Sequence, residues 1–471
     1  MNLSSELAKE PVFQDIKKVI ADVNVNAYLI GGYVRDLLLN RPCKDIDIVC
    51  LGSGIELAQQ FANLYGEKAE VAIFKNFGTA MVKIPGWEVE FVGARKESYR
   101  SESRKPIVED GTLEDDQNRR DFTINALAIG LNTNNWGELL DPFSGQEHLK
   151  EKLLKTPLEP GITFSDDPLR MMRAIRFASQ LSFDIDPITF EAIIEYKERI
   201  KIVSPERIIE EINKIVLCDK PSYGFNLMFH CGILHIIFPE MAALQGAEEK
   251  DGKGHKDNFY HTLKVLDNVC QYSKDLWLRW AAIMHDIAKP ATKRFDQKHG
   301  WTFHGHEELG AKMTPKIFSR LKLPMNEKMR FVQKLVRLHL RPIALAKEGV
   351  TDTAIRRLLF EAGEDSEALM KLCRADITSK NNDKKQRYLA NFDKVEELMK
   401  EVEERDHLRN FQPVFTGKLI MEIFNLKPGP EVGKLKIALR EAILEGKLKN
   451  TTEESREYMI EIARELGISS N

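Results

Sequence analysis

The stretch Tyr28–Leu51, YLIGGYVRDLLLNRPCKDIDIVCL, holds the first residues with the types and spacing to do chemistry. Asp45 and Asp47 stand one residue apart in a run that continues Ile46, Ile48, Val49. In a strand, residues i and i+2 share a face, so both carboxylates project together while the isoleucines turn to a core. Paired carboxylates repel unless a cation lies between them, and hard oxygen ligands suit Mg²⁺ bridging to a nucleotide's phosphates. Upstream, Gly31 and Gly32 follow the apolar run Tyr28–Ile30, where bare backbone N–H groups can approach a phosphate. Val34–Leu39 then reads as a helix carrying Arg35, so a polyanion could also rest at a helix N-terminus. On the next candidate strand, Trp87–Val92, Glu88 and Glu90 share one face, and either could supply a third carboxylate.

Two arginine-bearing motifs follow. In Arg119–Gly130, RRDFTINALAIG, Arg119 and Arg120 offer rigid forks for phosphate oxygens. The run reads as a helix, with Asp121 and Asn125 at i, i+4 placed to orient those arginines or a ribose. In residues 166–177, DDPLRMMRAIRF, Asp167 is the expected N-cap and Pro168 the first helical residue. Arg170, Arg173 and Arg176 then recur as a basic stripe, with Leu169, Met172, Ile175 and Phe177 toward the buried side.

The third set is richer in nitrogen. Eight of the eleven histidines lie from His255 onward. Among them are His261, the adjacent pair His285-Asp286 in AAIMHDIAK, His304 and His306 in FHGHEELGA, and His339, with Asp376 beyond. Imidazole and carboxylate are ligands for transition metals, and residues from several helices can converge on one bundle site. Burying the His285-Asp286 pair without a counter-ion would be costly.

Joined as GGxxRD…DxD, RRDFTINA and DPxxG (Asp141–Gly145), the first motifs resemble the nucleotidyltransferase superfamily, in particular class II CCA-adding enzymes and bacterial poly(A) polymerases. The resemblance selects Glu90 over Glu88, because the family places an acid five residues before an arginine, here Arg95. It implies that Asp45 and Asp47 hold two Mg²⁺ ions, with Gly31, Gly32, Arg35, Arg119 and Arg120 on the triphosphate. It also implies that Asp167 and Arg170 read the incoming C or A by Watson–Crick-like hydrogen bonds, and that residues 95–118 form a flexible loop assisting the switch from C to A. The histidine set resembles the HD superfamily of metal-dependent phosphohydrolases. His261, His285, Asp286 and Asp376 would be the primary ligands of an ion such as Mn, Ni, Co or Fe. His306 and His339 would supply a second metal or a phosphate pocket, with His304 a rival for His306.

The elements needed to position these residues define an α+β chain. A nucleotidyltransferase head of mixed sheet and helices, 1–150, precedes a helical neck, 151–240, an HD domain, 241–390, and a helical tail, 391–471. Residues 1–25 read as one amphipathic helix, Gly54–Leu64 as a helix, and Ala69–Ile84 as strands around a Phe77-Gly78-Thr79 turn. Ser204 and Pro205 start the neck helix, and Lys434, Lys436 and Arg440 of the tail could meet RNA phosphates. At 471 residues several domains are expected. No apolar run spans a bilayer, no apolar signal segment opens the chain, and six cysteines lack CxxC spacing, which together favour the cytoplasm. A net charge of −3 means that RNA contacts must come from local basic patches.

The activity implied is template-independent addition of CCA to tRNA from CTP and ATP, with possible hydrolysis at the HD site. Rival readings are a poly(A) polymerase, an enzyme adding only CC or only A, or an RNA-binding HD phosphohydrolase with an inactive head. Oligomeric state is not legible.

Overall fold

The computed structural model describes residues 1–75, 78–100, 103–348, 351–379, 381–406 and 413–468, with side chains outside 96–110 and 347–348. Phe77 and the side chains of Tyr99, Arg100 and Arg104 therefore lie outside the described set. The chain forms two compact units, Met1–Pro239 and Glu240–Asn471.

The head of the first unit holds the strands β1 Ala27–Ile30, β2 Asp45–Cys50, β3 Glu70–Phe74, β4 Thr79–Ile84, β5 Trp87–Gly93, β6 Arg95–Arg100, β7 Ser103–Asp110, β8 Ala128–Gly130 and β9 Leu139–Leu140, and a short parallel pair, Leu153–Leu154 with Asp184–Ile185, follows. Seven of them make one sheet in the order β3-β4-β5-β2-β1-β8-β9, and β6 pairs with β7 as a separate hairpin. Only β2 and β5 run parallel within the seven-stranded sheet. Period-2 patterning sets the faces: Ile46, Ile48, Val89 and Phe91 are buried, whereas Asp45 and Glu90 are exposed. The helix Gly54–Tyr65 covers the buried face of β4 and β5, with Ser53 accepting the Glu56 N–H as its cap.

Several expected elements differ. The N-terminal helix is two, Ser4–Leu7 and Pro11–Val23, because Glu10 is extended and Pro11, without an N–H, opens the second. The helix after the glycines runs Gly32–Leu38. Within 95–118 the described residues are not a loop: β6 and β7 pair with each other, and the helix Leu113–Asn118 follows. Backbone pairing between the two strands satisfies this stretch, so its polar composition gave no strand signal. RRDFTINALAIG is not a helix either. A short 3₁₀ turn, Thr123–Asn125, leads into β8, whose Ala128–Gly130 pairs with Tyr28–Ile30 of β1. Sheet pairing overrides helix propensity in this fully buried apolar run.

Beyond the sheet the unit is mainly helical and includes Pro160–Asp166, Leu169–Leu181 and Pro205–Val216. Asp167 ends the first of these, and its side chain accepts the Leu169 N–H at 3.1 Å. Ser204 precedes Pro205 as expected but makes no side-chain cap bond. The second unit is helical apart from two short hairpins. Its core holds Phe259, Trp280 and Phe318, all with 0 % exposure. All six cysteines are free, and among the described residues no helix is long and apolar enough to cross a membrane.

Candidate active site and metal centre

Strand register assembles the carboxylates of the first unit. Asp47 of β2 lies opposite Glu90 of parallel β5, and opposite Ile30 of antiparallel β1 at the point where the glycine turn begins. Asp45 lies opposite Glu88 instead, and Glu88 is occupied by Lys83 at 3.3 Å. Asp45, Asp47 and Glu90 all line one cleft of about 980 Å³, shared with Gly31, Gly32 and Arg120. Burial, reinforced by Glu90 and Asp45 and opposed by Arg120, pushes the Asp47 carboxyl up to about 6. An oxygen-only donor set with this excess of negative charge fits a hard divalent cation. Gly31 has φ +82°, and an added Cβ would stand 2.8 Å from Arg120 Nη1 and 3.1 Å from Asp47 Oδ2. A side chain there is excluded by both conformation and space.

The arginines divide into those that face the cleft and those that brace it. Asp116, fully buried, holds both arginines of the RRD motif: Arg119 donates to Oδ1, and Arg120 Nε donates to Oδ2 at 3.0 Å. Burial alone would raise the Asp116 carboxyl, but Arg120 and Arg119 bring it below the usual range. Arg120 reaches the cleft; Arg119 is not on its wall. Arg35 lines the cleft but is only 5 % exposed, and both its edges are taken, by Asp36 at 2.9 Å and Asn125 Oδ1 at 2.9 Å. Its guanidinium is held as a strut in the cleft wall. Asp121 accepts from Asn125 Nδ2 at 2.9 Å and Arg173 Nε at 2.7 Å. Burial works against the Asp121 carboxylate, yet Arg173 and Asn125 hold it down at about 2. Arg176 pairs with Glu211 at 3.0 Å, and the guanidinium carbons of Arg35, Arg173 and Arg176 surround the Phe177 ring at 5.0, 5.3 and 4.0 Å.

Asp167 and Arg170 do not line this cleft among the described residues. Arg170 donates to the carbonyls of Thr163 at 3.3 Å and Arg119 at 2.5 Å, and Asp167 lies 3.7 Å from Arg207. On sequence alone Asp36, Asp116, Phe177 and Glu211 are given no site role. Asp116 carried a usable signal, since it precedes Arg119 and Arg120 by three and four residues, the spacing of helical ion pairs.

In the second unit the ligand-type residues gather mainly at helix ends. His285 caps Leu276–Met284, His339 caps Glu327–Leu338, Asp376 caps Ser366–Ala375, and His306 opens His306–Leu321. The last carbonyls of a helix lack intrahelical partners, and two of these imidazoles use them. His285 Nδ1 bonds Ala282 O and His339 Nδ1 bonds Val336 O, each at 2.7 Å; His306 Nδ1 bonds Phe303 O at 2.7 Å. A carbonyl only accepts, so in each case Nδ1 carries a proton, and in the neutral imidazole Nε2 is the atom left to bind a metal.

Those Nε2 atoms converge on Asp286. Oδ2 lies 3.1 Å from His285 and 3.4 Å from His261, while Oδ1 lies 3.2 Å from His306 and 3.9 Å from His339. Asp376 Oδ1 joins the first group, 2.9 Å from His261 Nε2. His304 is exposed on a turn and takes no part. Two observations test whether cations fit: His285 Nε2 is buried with no hydrogen-bond partner, and the Nε2 atoms of His306 and His339 face each other at 3.3 Å. Opposed lone pairs need something positive between them. Burial, aided by His285, pushes His339 down to about 4, which keeps it a neutral ligand. The set fits two borderline divalent ions sharing Asp286.

Comparison with known proteins adds to this geometry. Residues 27–155 match the poly A polymerase head domain, 182–245 the probable RNA and SrmB-binding site of polymerase A, and 258–381 the HD domain. The A-adding tRNA nucleotidyltransferase of Deinococcus radiodurans is 31% identical over 363 residues, covering 75% of this chain and 80% of that one. The chain belongs to the tRNA nucleotidyltransferase/poly(A) polymerase family. The multifunctional CCA protein of Nitrosococcus oceani is 35% identical over 309 residues, 64% of this chain and 71% of its own. Among solved structures, the Bacillus stearothermophilus CCA-adding enzyme in complex with CTP superposes with a TM-score of 0.68 at 21% identity, covering 97% of this chain and 99% of that one; it shows the shared fold. Nucleotidyltransferase and HD domains together imply the use of divalent metal ions.

Proposed function

We propose that this nucleotidyltransferase adds CCA to the 3′ end of tRNA from CTP and ATP in the cytoplasm, without a nucleic-acid template. The observation that carries the reading is the convergence of Asp45, Asp47 and Glu90 on one cleft beside Gly31 and Arg120. Divalent cations bound there, assigned as Mg²⁺, would activate the 3′-hydroxyl and neutralise the leaving pyrophosphate. Gly31 and Gly32 leave backbone room for phosphates, and Arg120 presents its guanidinium from a fixed position. Asp121 with Arg173, and Phe177 with its ring of arginines, shape the far wall. Asp167 and Arg170 remain the assigned base readers; to act so they must exchange their present backbone bonds for contacts to C or A.

Addition of A alone is the second reading, favoured by the name of the Deinococcus relative. One experiment separates the two. tRNA lacking CCA, tRNA ending in CC and complete tRNA are incubated with Mg²⁺ and CTP, ATP or both, and the ends are sequenced. Growth that stops at CCA supports the first reading, and growth only from CC supports the second. No incorporation into any tRNA overturns both.

The HD centre is assigned hydrolysis of a phosphate ester by metal-activated water, with Mn, Ni, Co or Fe as the ion. His261, His285, Asp286 and Asp376 would hold one ion, and Asp286, His306 and His339 the other. Lys289, 2.6 Å from Asp286 Oδ2, lines the adjoining pocket and can meet a phosphate oxygen there.

A further inference from the structure

A separate cavity of about 570 Å³ in the second unit is walled by four arginines: Arg337, Arg341, Arg357 and Arg440. Three glutamates, Glu308, Glu361 and Glu441, share the wall. The pairing is uneven. Glu441 serves two arginines at once, Arg357 at 3.2 Å and Arg440 at 2.9 Å, Glu445 adds a second contact to Arg357 at 3.2 Å, and Arg341 reaches Glu361 only at 3.7 Å. Among the described residues Arg337 has no ion-pair partner and is exposed. The Arg357 Nε is buried and bonded to nothing. Arg440 packs over the Phe360 ring, its guanidinium carbon 5.7 Å from the centroid, and its Nε and Nη2 donate to Glu441 Oε1 at 3.3 and 2.9 Å, which holds it in the cavity wall.

Arg337 and Arg341 stand about one helical turn apart and present like charge to the same space. Such a placement is mildly unfavourable, and a bound anion would relieve it. Planar guanidinium forks from several helices match a group with many acceptor oxygens, which phosphate supplies and a carboxylate does not.

We propose that this cavity binds phosphoanions, with Arg337 and Arg341 as the primary contacts and Arg357 and Arg440 as its fixed wall. Two sources carry that chemistry: the backbone phosphates of an RNA and a free polyphosphate such as pyrophosphate. The cavity's lining includes none of the residues of the HD metal centre, so its ligand is expected to bind without divalent metal.

Full-length protein is titrated with pyrophosphate by calorimetry in excess EDTA, and with tRNA lacking CCA by filter binding across a salt series. R337E, R341E and the double variant are compared with wild type, with thermal unfolding as a folding check on these exposed positions. The expected result is at least a tenfold loss of affinity in the double variant, with unfolding unchanged. Loss for tRNA alone, with a shallower salt dependence, assigns an RNA backbone; loss for pyrophosphate alone assigns a free polyphosphate. Unchanged affinity for both in the folded double variant overturns the proposal.

Discussion

The two metal-type sites reach similar ends by opposite routes. In the head, three carboxylates come from adjacent strands, and the pairing register alone places them. The donors are all oxygen, the cleft is open, and Asp45 and Glu90 are exposed. In the HD centre four imidazoles and two carboxylates come from helix ends as far apart as His261 and Asp376, and three imidazoles are fixed by carbonyls three residues earlier. A sheet thus supplies hard ligands by period, whereas a bundle supplies borderline ligands by convergence. The first arrangement suits ions that come and go with substrate; the second suits resident ions.

The comparison breaks most sharply under exchange of single acids. D45A is expected to lower nucleotide incorporation by about 10³-fold while leaving HD hydrolysis intact, and D286A to do the reverse. Primer extension and phosphate release assays on the same preparations read both; if either variant lost both activities with its fold retained, the sites would not be independent. Next, H306A is expected to lower bound metal from two ions per HD centre to one, read by elemental analysis, because His261, His285 and Asp376 remain. A stoichiometry unchanged at two would remove His306 from the ligand set.

A smaller effect sharpens the head side. D116N leaves two arginines sharing a weakened acceptor, costing roughly 3 kcal/mol of stability as a broken buried pair. The KM for nucleotide is expected to rise roughly tenfold as Arg120 loosens, with kcat less affected. An unchanged KM in the folded variant would show that Asp116 does not position Arg120.

The smallest effect is one of pH. Asp47 is raised to about 6, so cation binding at the head must displace a proton and weakens as pH falls through that value. Because this folded pKa lies above that of an unfolded Asp, the group's contribution to metal-free stability is full below about pH 4 and is lost as pH rises through about 6. Calorimetric Mg²⁺ affinity between pH 5 and 8, chosen to bracket about 6, measures it; a flat profile would refute the assignment.

How legible these sites were follows from range. Asp45 and Asp47 declare themselves through period-2 alternation within one strand, but the choice between Glu90 and Glu88 depended on register with β2, which local pattern does not carry. His285-Asp286 was visible as a buried ionisable pair, yet only packing separated His306 from the exposed His304. The arginines were the least legible. Their type announced phosphate, but Arg35 and Arg119 are committed to Asp36, Asn125 and Asp116, and such commitments form only when the chain folds. The RRDF run misled for a related reason, since its helical propensity yielded to an open sheet edge at β1.

The β6–β7 hairpin has a consequence for how this enzyme can diverge. Its base is closed where Arg95 lies opposite Asp110 and the Gly111 N–H meets the Ala94 carbonyl at 2.9 Å. The chain therefore leaves and re-enters the head at nearly the same point, just past the strand bearing Glu90. Residues can be gained or lost along the hairpin without displacing the carboxylates or the RRD arginines on either side. Its length is a quantity that selection can tune while the catalytic frame stays fixed, and grafting hairpins of different lengths would be tolerated by the fold.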